Sequence, residues 1–224
     1  MRRAAIDRLH AKPLFAMRAY RLRPSLCFCA IGARFILLDL EASRYLLLEH
    51  EAACHFAAFL GGDPGPDAVA WLTERALIDA GDPAPPEDPP PPANESLFEI
   101  DLPAPRVALI AEALAAQLAA RWHVGRRSMS ALLEPSKGRS PDLERCRPVV
   151  AAFRRATRYL QAEDQCLANG IAMRAMLARR GIGSQIVIGV RLPFAAHCWV
   201  QSGRTVLSDP LDRIRNFRPI VTVP

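Results

Sequence analysis

The chain has 224 residues, half of them hydrophobic, and a formal net charge of +6. That is enough apolar material for one large core or two small ones. No apolar run of signal-peptide length follows Met1-Arg2-Arg3, and the apolar-leaning stretch Val107 to Ala120 is broken by Glu112 and Gln117. Composition therefore excludes a secretory leader of ordinary form and stable membrane insertion, and predicts a cytoplasmic protein. The charge is uneven: residues 1–100 carry 10 Lys/Arg against 14 Asp/Glu, and residues 101–224 carry 19 against 9. A basic half can attract an anionic partner, but no aromatic interleaving or RNA-binding motif supports nucleic acid. Six cysteines form no obvious disulfide framework, and Cys27 and Cys29 stand too close along one strand to bridge. No CxxC pair or paired-His spacing suggests structural zinc, so neither metal nor cofactor is expected.

Three β-like runs come first: Ser25 to Ile31, Arg34 to Leu40 and Arg44 to Leu48. Their short connections predict a three-stranded antiparallel meander. A helix follows from about Glu49 to Leu60, stopped by Gly61-Gly62, and another over Asp67 to Ile78. These elements make residues 1–78 a small winged-helix-like module. His50 and His55 lack the i, i+4 spacing of helical ligands and read as surface residues.

Residues 79–96, DAGDPAPPEDPPPPANES, form a Pro/acid tract that reads as an extended, semi-stiff linker. Residues 97–224 form the second domain. It opens with an Ala/Leu-rich helix, about Pro105 to His123, then a basic loop, Gly125 to Pro148, which contains Cys146. A helix over Val149 to Leu160 follows. The next helix, Gln165 to Arg180, has Asp164 as its N-cap and Gly181 as its stop. Ser184 to Arg191, Ala195 to Gln201 and Thr205 to Ser208 read as strands. Helices packed on an antiparallel sheet give an α+β class.

The chemistry-bearing residues lie in this second domain. Cys166 stands at a helix start, where the peptide dipoles favour a thiolate. His197 lies in a strand and Asp209 ends the next run. The three read as nucleophile, base and orienter for acyl chemistry on an amide. The Cys166 backbone N–H would face the oxyanion, with Gln161 or Gln165 as a second donor. Strand alternation sets His197 and Trp199 on one face and Cys198 on the other. A three-residue turn, Ser202-Gly203-Arg204, would place His197 directly opposite Asp209, and a turn of Ser202-Gly203 alone would place it opposite Ser208; a triad therefore predicts the three-residue turn or an equivalent bulge nearer Asp209. The competing readings are a buried structural cysteine, a core histidine and a turn-forming aspartate before Pro210.

The run CLANGIAMRAMLARRGIGSQIVIGVRLPFAAHCWV, followed by Leu207-Ser208-Asp209, closely resembles the transglutaminase-like cysteine peptidases that mature lasso peptides. The shared features are the Cys-Leu helix start, the Arg-Arg-Gly-Ile exit, the Val-Ile-Gly-Val strand, the Ala-His-x-Trp-Val strand and the later Asp. One departure is Asn169-Gly170, where relatives often carry Arg-Ser. The resemblance implies a transglutaminase-like, papain-like cysteine peptidase domain with Cys166, His197 and Asp209 as its triad. It implies cleavage of a ribosomally made precursor (a RiPP) between leader and core. An asparagine-synthetase-like lasso cyclase would act next. The run RFILLDLEASRYLLLEHEAA resembles the leader-recognition domain of the same systems. There the leader adds as a strand at Arg44, Tyr45, Leu46, Leu47 and Leu48, with Val69 and Leu72 on the groove wall. An acyltransferase, a non-catalytic peptide-binding adaptor and, more weakly, a DNA-binding winged helix are the alternatives.

Overall fold

The computed structural model describes residues 20–82, 90–135, 140–160 and 165–224. It is a mixed α+β fold with an N-terminal antiparallel sheet and helices and a C-terminal sheet covered by helices. β1 (Tyr20–Leu22) leads into the meander β2 (Leu26–Ile31), β3 (Arg34–Asp39) and β4 (Arg44–Leu48), in sheet order β2-β3-β4. The β2–β3 turn is tight, with Ile31 opposite Arg34, and Gly32 supplies its positive φ of 61°. At the β3–β4 turn the buried Asp39 carboxylate accepts the N–H groups of Glu41 and Ala42 and pairs with Arg23.

α1 (His50–Leu60) and α2 (Pro66–Glu74) follow, then β5 (Ile78–Ala80), which pairs back onto β1. The helix expected to reach Ile78 therefore stops four residues early. Ala76 takes a φ of 52° and the Leu77 N–H reaches back to the Leu72 carbonyl, a Schellman-type closure made here without glycine. The reversal frees Ile78 to join a strand whose partner lies near the start of the chain, beyond the reach of local periodicity.

The meander alternates with period two. Leu26, Leu37 and Leu48 face α1 and α2, packing with Phe56 and Leu72. Cys29, Ile36 and Leu38 face the other way and belong to the same core as Met176, Ile188 and Val200 of the C-terminal domain. Tyr45 meets Phe194 edge to face at 5.2 Å. Ser43 Oγ accepts the Met129 N–H at 2.9 Å, and the Leu40 carbonyl accepts the Ser130 N–H at 2.9 Å.

The C-terminal part begins with β6 (Glu95–Ser96) and continues through α3 (Val107–Val124), α4 (Met129–Leu132), α5 (Leu143–Ala156) and α6 (Cys166–Arg179). β7 (Gln185–Arg191), β8 (Ala195–Ser202), β9 (Thr205–Val206), α7 (Leu211–Ile214) and β10 (Arg218–Val223) complete it. The sheet order is β10-β7-β8-β9-β6, antiparallel except for the parallel β6–β9 edge. α6 packs on β8, and α3 and α5 pack on α6.

Two expectations change here. The basic loop is shorter than its prolines suggest: α5 starts at Leu143, capped by Asp142 Oδ1 on the Arg145 N–H, and carries Pro148 inside it. Pro148 deletes only the helical bond to the Glu144 carbonyl, and the helix repays burial of Val149, Val150 and Phe153. Cys146 is thus a fully buried helix residue rather than a loop thiol. The last residues of the Pro-rich tract also have partners: the Pro91 carbonyl accepts Gln201 Nε2 at 2.7 Å, and Asn94 N–H donates to the Arg204 carbonyl at 3.0 Å. Residues 83–89 of that tract lie outside the described residues. Among the described residues no helix is long and apolar enough to cross a membrane.

Candidate active site

α6 begins at Cys166 after Gln165, whose side chain makes no capping bond. Asp164, expected as the N-cap, and Gln161, one of two expected amide donors, lie outside the described residues. No side chain caps the first turn, and the Leu167 N–H lies where it favours a charged Cys166 sulfur.

The facing strand supplies a second donor, because β9 is short. Ser202 pairs with Thr205 and Gln201 with Val206 across a turn of Gly203-Arg204, where Gly203 has a φ of 59°. Neither turn-set register is present, and continuing this ladder would set Asp209 opposite Cys198 on the wrong face; the irregularity falls nearer Asp209, the other expected place. The ladder stops instead. Leu207 N–H makes its last backbone bond, to the Val200 carbonyl at 2.8 Å, and the chain turns off toward Pro210. Two β8 N–H groups are thereby released from strand pairing: that of Val200 goes to Ser208 Oγ at 2.9 Å, and that of Cys198 goes to the Cys166 sulfur. The bend brings Asp209 Oδ1 to 2.9 Å from His197 Nε2. His197 also hydrogen-bonds the Cys166 sulfur, for which Nδ1 is the remaining ring nitrogen. One cleft of about 390 Å³ holds all three residues.

Electrostatics follow from this packing. Burial alone raises the Cys166 thiol, but the His197 hydrogen bond and the N–H groups of Cys198 and Leu167 outweigh it, leaving the pKa below the ordinary thiol value. Burial alone lowers His197, but its bonds to Asp209 and Cys166 bring it up to about 9. These directions favour a thiolate–imidazolium pair at neutral pH. Cys198 is the opposite case: burial drives its thiol pKa well above the ordinary value, and it stays neutral. Tyr45, at the domain boundary, is pushed up to about 12 by burial, with lesser contributions from Cys198 and Cys166.

His197 is also held by shape. Trp199 stacks near its ring at 6.4 Å between centroids and Phe217 lies at 5.4 Å. Gly189 pairs directly with His197 across β7–β8, and a Cβ there would stand 2.8 Å from the Trp199 ring. The cleft is further lined by Gln165, Asn169, Met173, Phe153, Phe98 and Arg213. The side-chain oxygens of Gln165 and Asn169 are buried beside the cleft without a hydrogen-bond partner among the described residues.

The expected leader-binding positions divide between the β4 edge and the core behind it. β4 is an outer strand, with Arg44 and Leu47 exposed and Tyr45 and Leu46 half-buried. Leu48 and Leu72 are buried and Val69 is partly buried, all in the core between meander and helices. α1 is packed on β3 and β4, while α2 packs on α1 and β5. Ser208, Ser96, Asn169 and Gly189 were not singled out for this geometry by sequence reasoning. Only Ser208 carried a local signal, as the neighbour of Asp209. Among the described residues no group of three or more His, Cys, Asp or Glu is placed to hold a metal ion.

A family model described as the transglutaminase-like superfamily matches residues 110–222. Neither a curated protein nor a solved structure matches the chain.

Proposed function

The chain belongs to the transglutaminase-like superfamily, and from that premise we propose that it is a cysteine peptidase that removes the leader from a lasso-peptide precursor. The observation that carries the reading is the meeting of a helix-tip sulfur, an imidazole and a buried carboxylate in one cleft. The Cys166 thiolate attacks the scissile carbonyl. The oxyanion receives the Cys166 N–H and, as a side-chain donor, the Gln165 amide. Imidazolium His197 gives its proton to the departing core amine, then takes one from the water that opens the thioester. Asp209 holds the imidazole and stabilises its charged form. The core leaves with a free amine, the group an ATP-using, asparagine-synthetase-like cyclase would join to an acidic side chain.

The leader-binding half of the proposal rests on β4, whose outer edge has no strand partner among the described residues. A peptide adding there gains main-chain hydrogen bonds, with Leu47 and Tyr45 offering apolar contacts. The direction follows from the packing. The Arg44 end of β4 adjoins Phe194 and α4, whereas the Leu48 end leads away. A peptide strand antiparallel to β4 therefore leaves toward the cleft with its C-terminal side, as a leader preceding a core must. Beside that edge α1 packs on β3 and β4, and Val69 and Leu72 of α2 pack in the same core.

Incubation of a lasso precursor with wild type should give leader and core fragments whose summed mass exceeds the precursor by one water. Cys166→Ala should lower the rate at least about 10³-fold. Intact precursor with wild type, or equal cleavage by both proteins, contradicts the reading. A leader fragment carrying an added amine instead of water would make the protein an acyltransferase on the same scaffold.

A further inference from the structure

The geometry points to Ser208, assisted by Ser96, as the positioning residue that decides which Asp209 oxygen faces His197; the inference rests on the peptidase reading above. Ser208 Oγ accepts the Val200 N–H at 2.9 Å and lies 2.6 Å from Asp209 Oδ2. A carboxylate can only accept, so the serine proton must go to Oδ2. That leaves Oδ1 for His197 Nε2. Ser208 is held in turn, because its oxygen fills the place a β9 carbonyl would take in a continued ladder. Ser96 works from behind: its hydroxyl donates to the Asp209 carbonyl at 2.7 Å and accepts the Phe98 N–H at 3.0 Å. Asp209 is therefore gripped at both its carboxylate and its backbone.

Without these hydroxyls the carboxylate has another cation to follow. Arg213 Nη1 lies 3.6 Å from Oδ1 on a largely exposed side chain, so rotation toward solvent costs little. The groups facing the cluster from neighbouring elements are Cys166 on α6, Cys198 on β8, Arg213 on α7 and Tyr45 on the meander. None of them donates a hydrogen bond to Oδ2.

The test needs no peptide substrate. Full-length protein is alkylated with iodoacetamide across pH 4–10, and modification of Cys166 is followed by mass spectrometry. The expected result is a wild-type thiolate plateau reaching to low pH. Ser208→Ala should move its acid limb upward and slow alkylation at the foot of that limb about tenfold, the equivalent of one pKa unit. Ser208→Thr, which keeps the hydroxyl, should restore the limb, and Ser96→Ala should move it the same way by less. A melting curve run beside each variant separates a shifted limb from loss of fold. Superimposable limbs for wild type and Ser208→Ala overturn the inference, as does a folded Ser208→Thr that behaves like the alanine variant. A wild-type protein whose rapidly alkylated thiol is not Cys166 overturns the peptidase reading instead.

Discussion

His197 is the residue whose protonation sets the working range. Its ordinary tendency on burial would be to lose charge, yet the Asp209 and Cys166 contacts carry it to about 9. Cys166 moves the other way, below its ordinary value. The two shifts together favour an ionised sulfur beside a protonated imidazole, the pair the proposed acylation would use. As pH rises through about 9, His197 gives up the proton meant for the departing amine, so kcat/KM should fall on the alkaline side. As pH drops through the lowered Cys166 pKa, the nucleophile is lost. A pH–rate profile should be bell-shaped with its alkaline limb near 9; a rate still climbing at pH 10 would contradict the assignment. The helix start at Cys166 and the strand around His197 were legible in sequence because both signals are local. The His–Asp contact arises where the ladder ends near Asp209, not from the three-residue turn. Where a ladder ends depends on Ser208 replacing a carbonyl and on Pro210 forbidding its continuation, a balance that residue counting does not contain.

Among the elements, β7 shows how a strand without a functional group governs one that has it. Gly189 leaves the space into which Trp199 and Phe217 press beside the His197 ring. Gly189→Ala would place a methyl against a ring and against Phe217 Cβ at 2.9 Å, both buried or half-buried. Overpacking of this kind costs about 1–3 kcal/mol, so the variant should melt earlier and lose kcat more than it raises KM. Unchanged melting and activity would show that the aromatic pair is not bracing the imidazole. The meander was readable because short turns and alternating apolar residues sit together in sequence. β5, β6 and β10 were not: each is short or begins beside prolines, and each exists only because a distant strand offers an edge. α5 was misread because three prolines outweighed a capping Asp142 and a well-buried helical face.

Over the whole molecule, the two halves are one packing unit. Ile36 and Leu38 are fully buried in the core that also contains β7 and β8 residues. Linker length therefore does not set how far the β4 edge stands from Cys166; side-chain packing does. Leu38→Ala should cost about 2–5 kcal/mol. Wild-type denaturation should be a single transition, coincident by circular dichroism and by the fluorescence of Trp71, on the N-terminal side, and Trp199, on the C-terminal side. Separate transitions would mean that the shared core is not cohesive. Composition could reveal the linker but not this contact, because an apolar strand face reads the same whether it meets its own helices or another domain.

The β2–β3 face that Ile36 and Leu38 present to the C-terminal domain has one more implication. Connectivity across the proline tract is dispensable in principle: a gene interrupted between residues 82 and 90 would encode two polypeptides, each carrying half of a greasy seam. Purified together, such fragments should reassemble at stoichiometric ratio, held by that apolar seam.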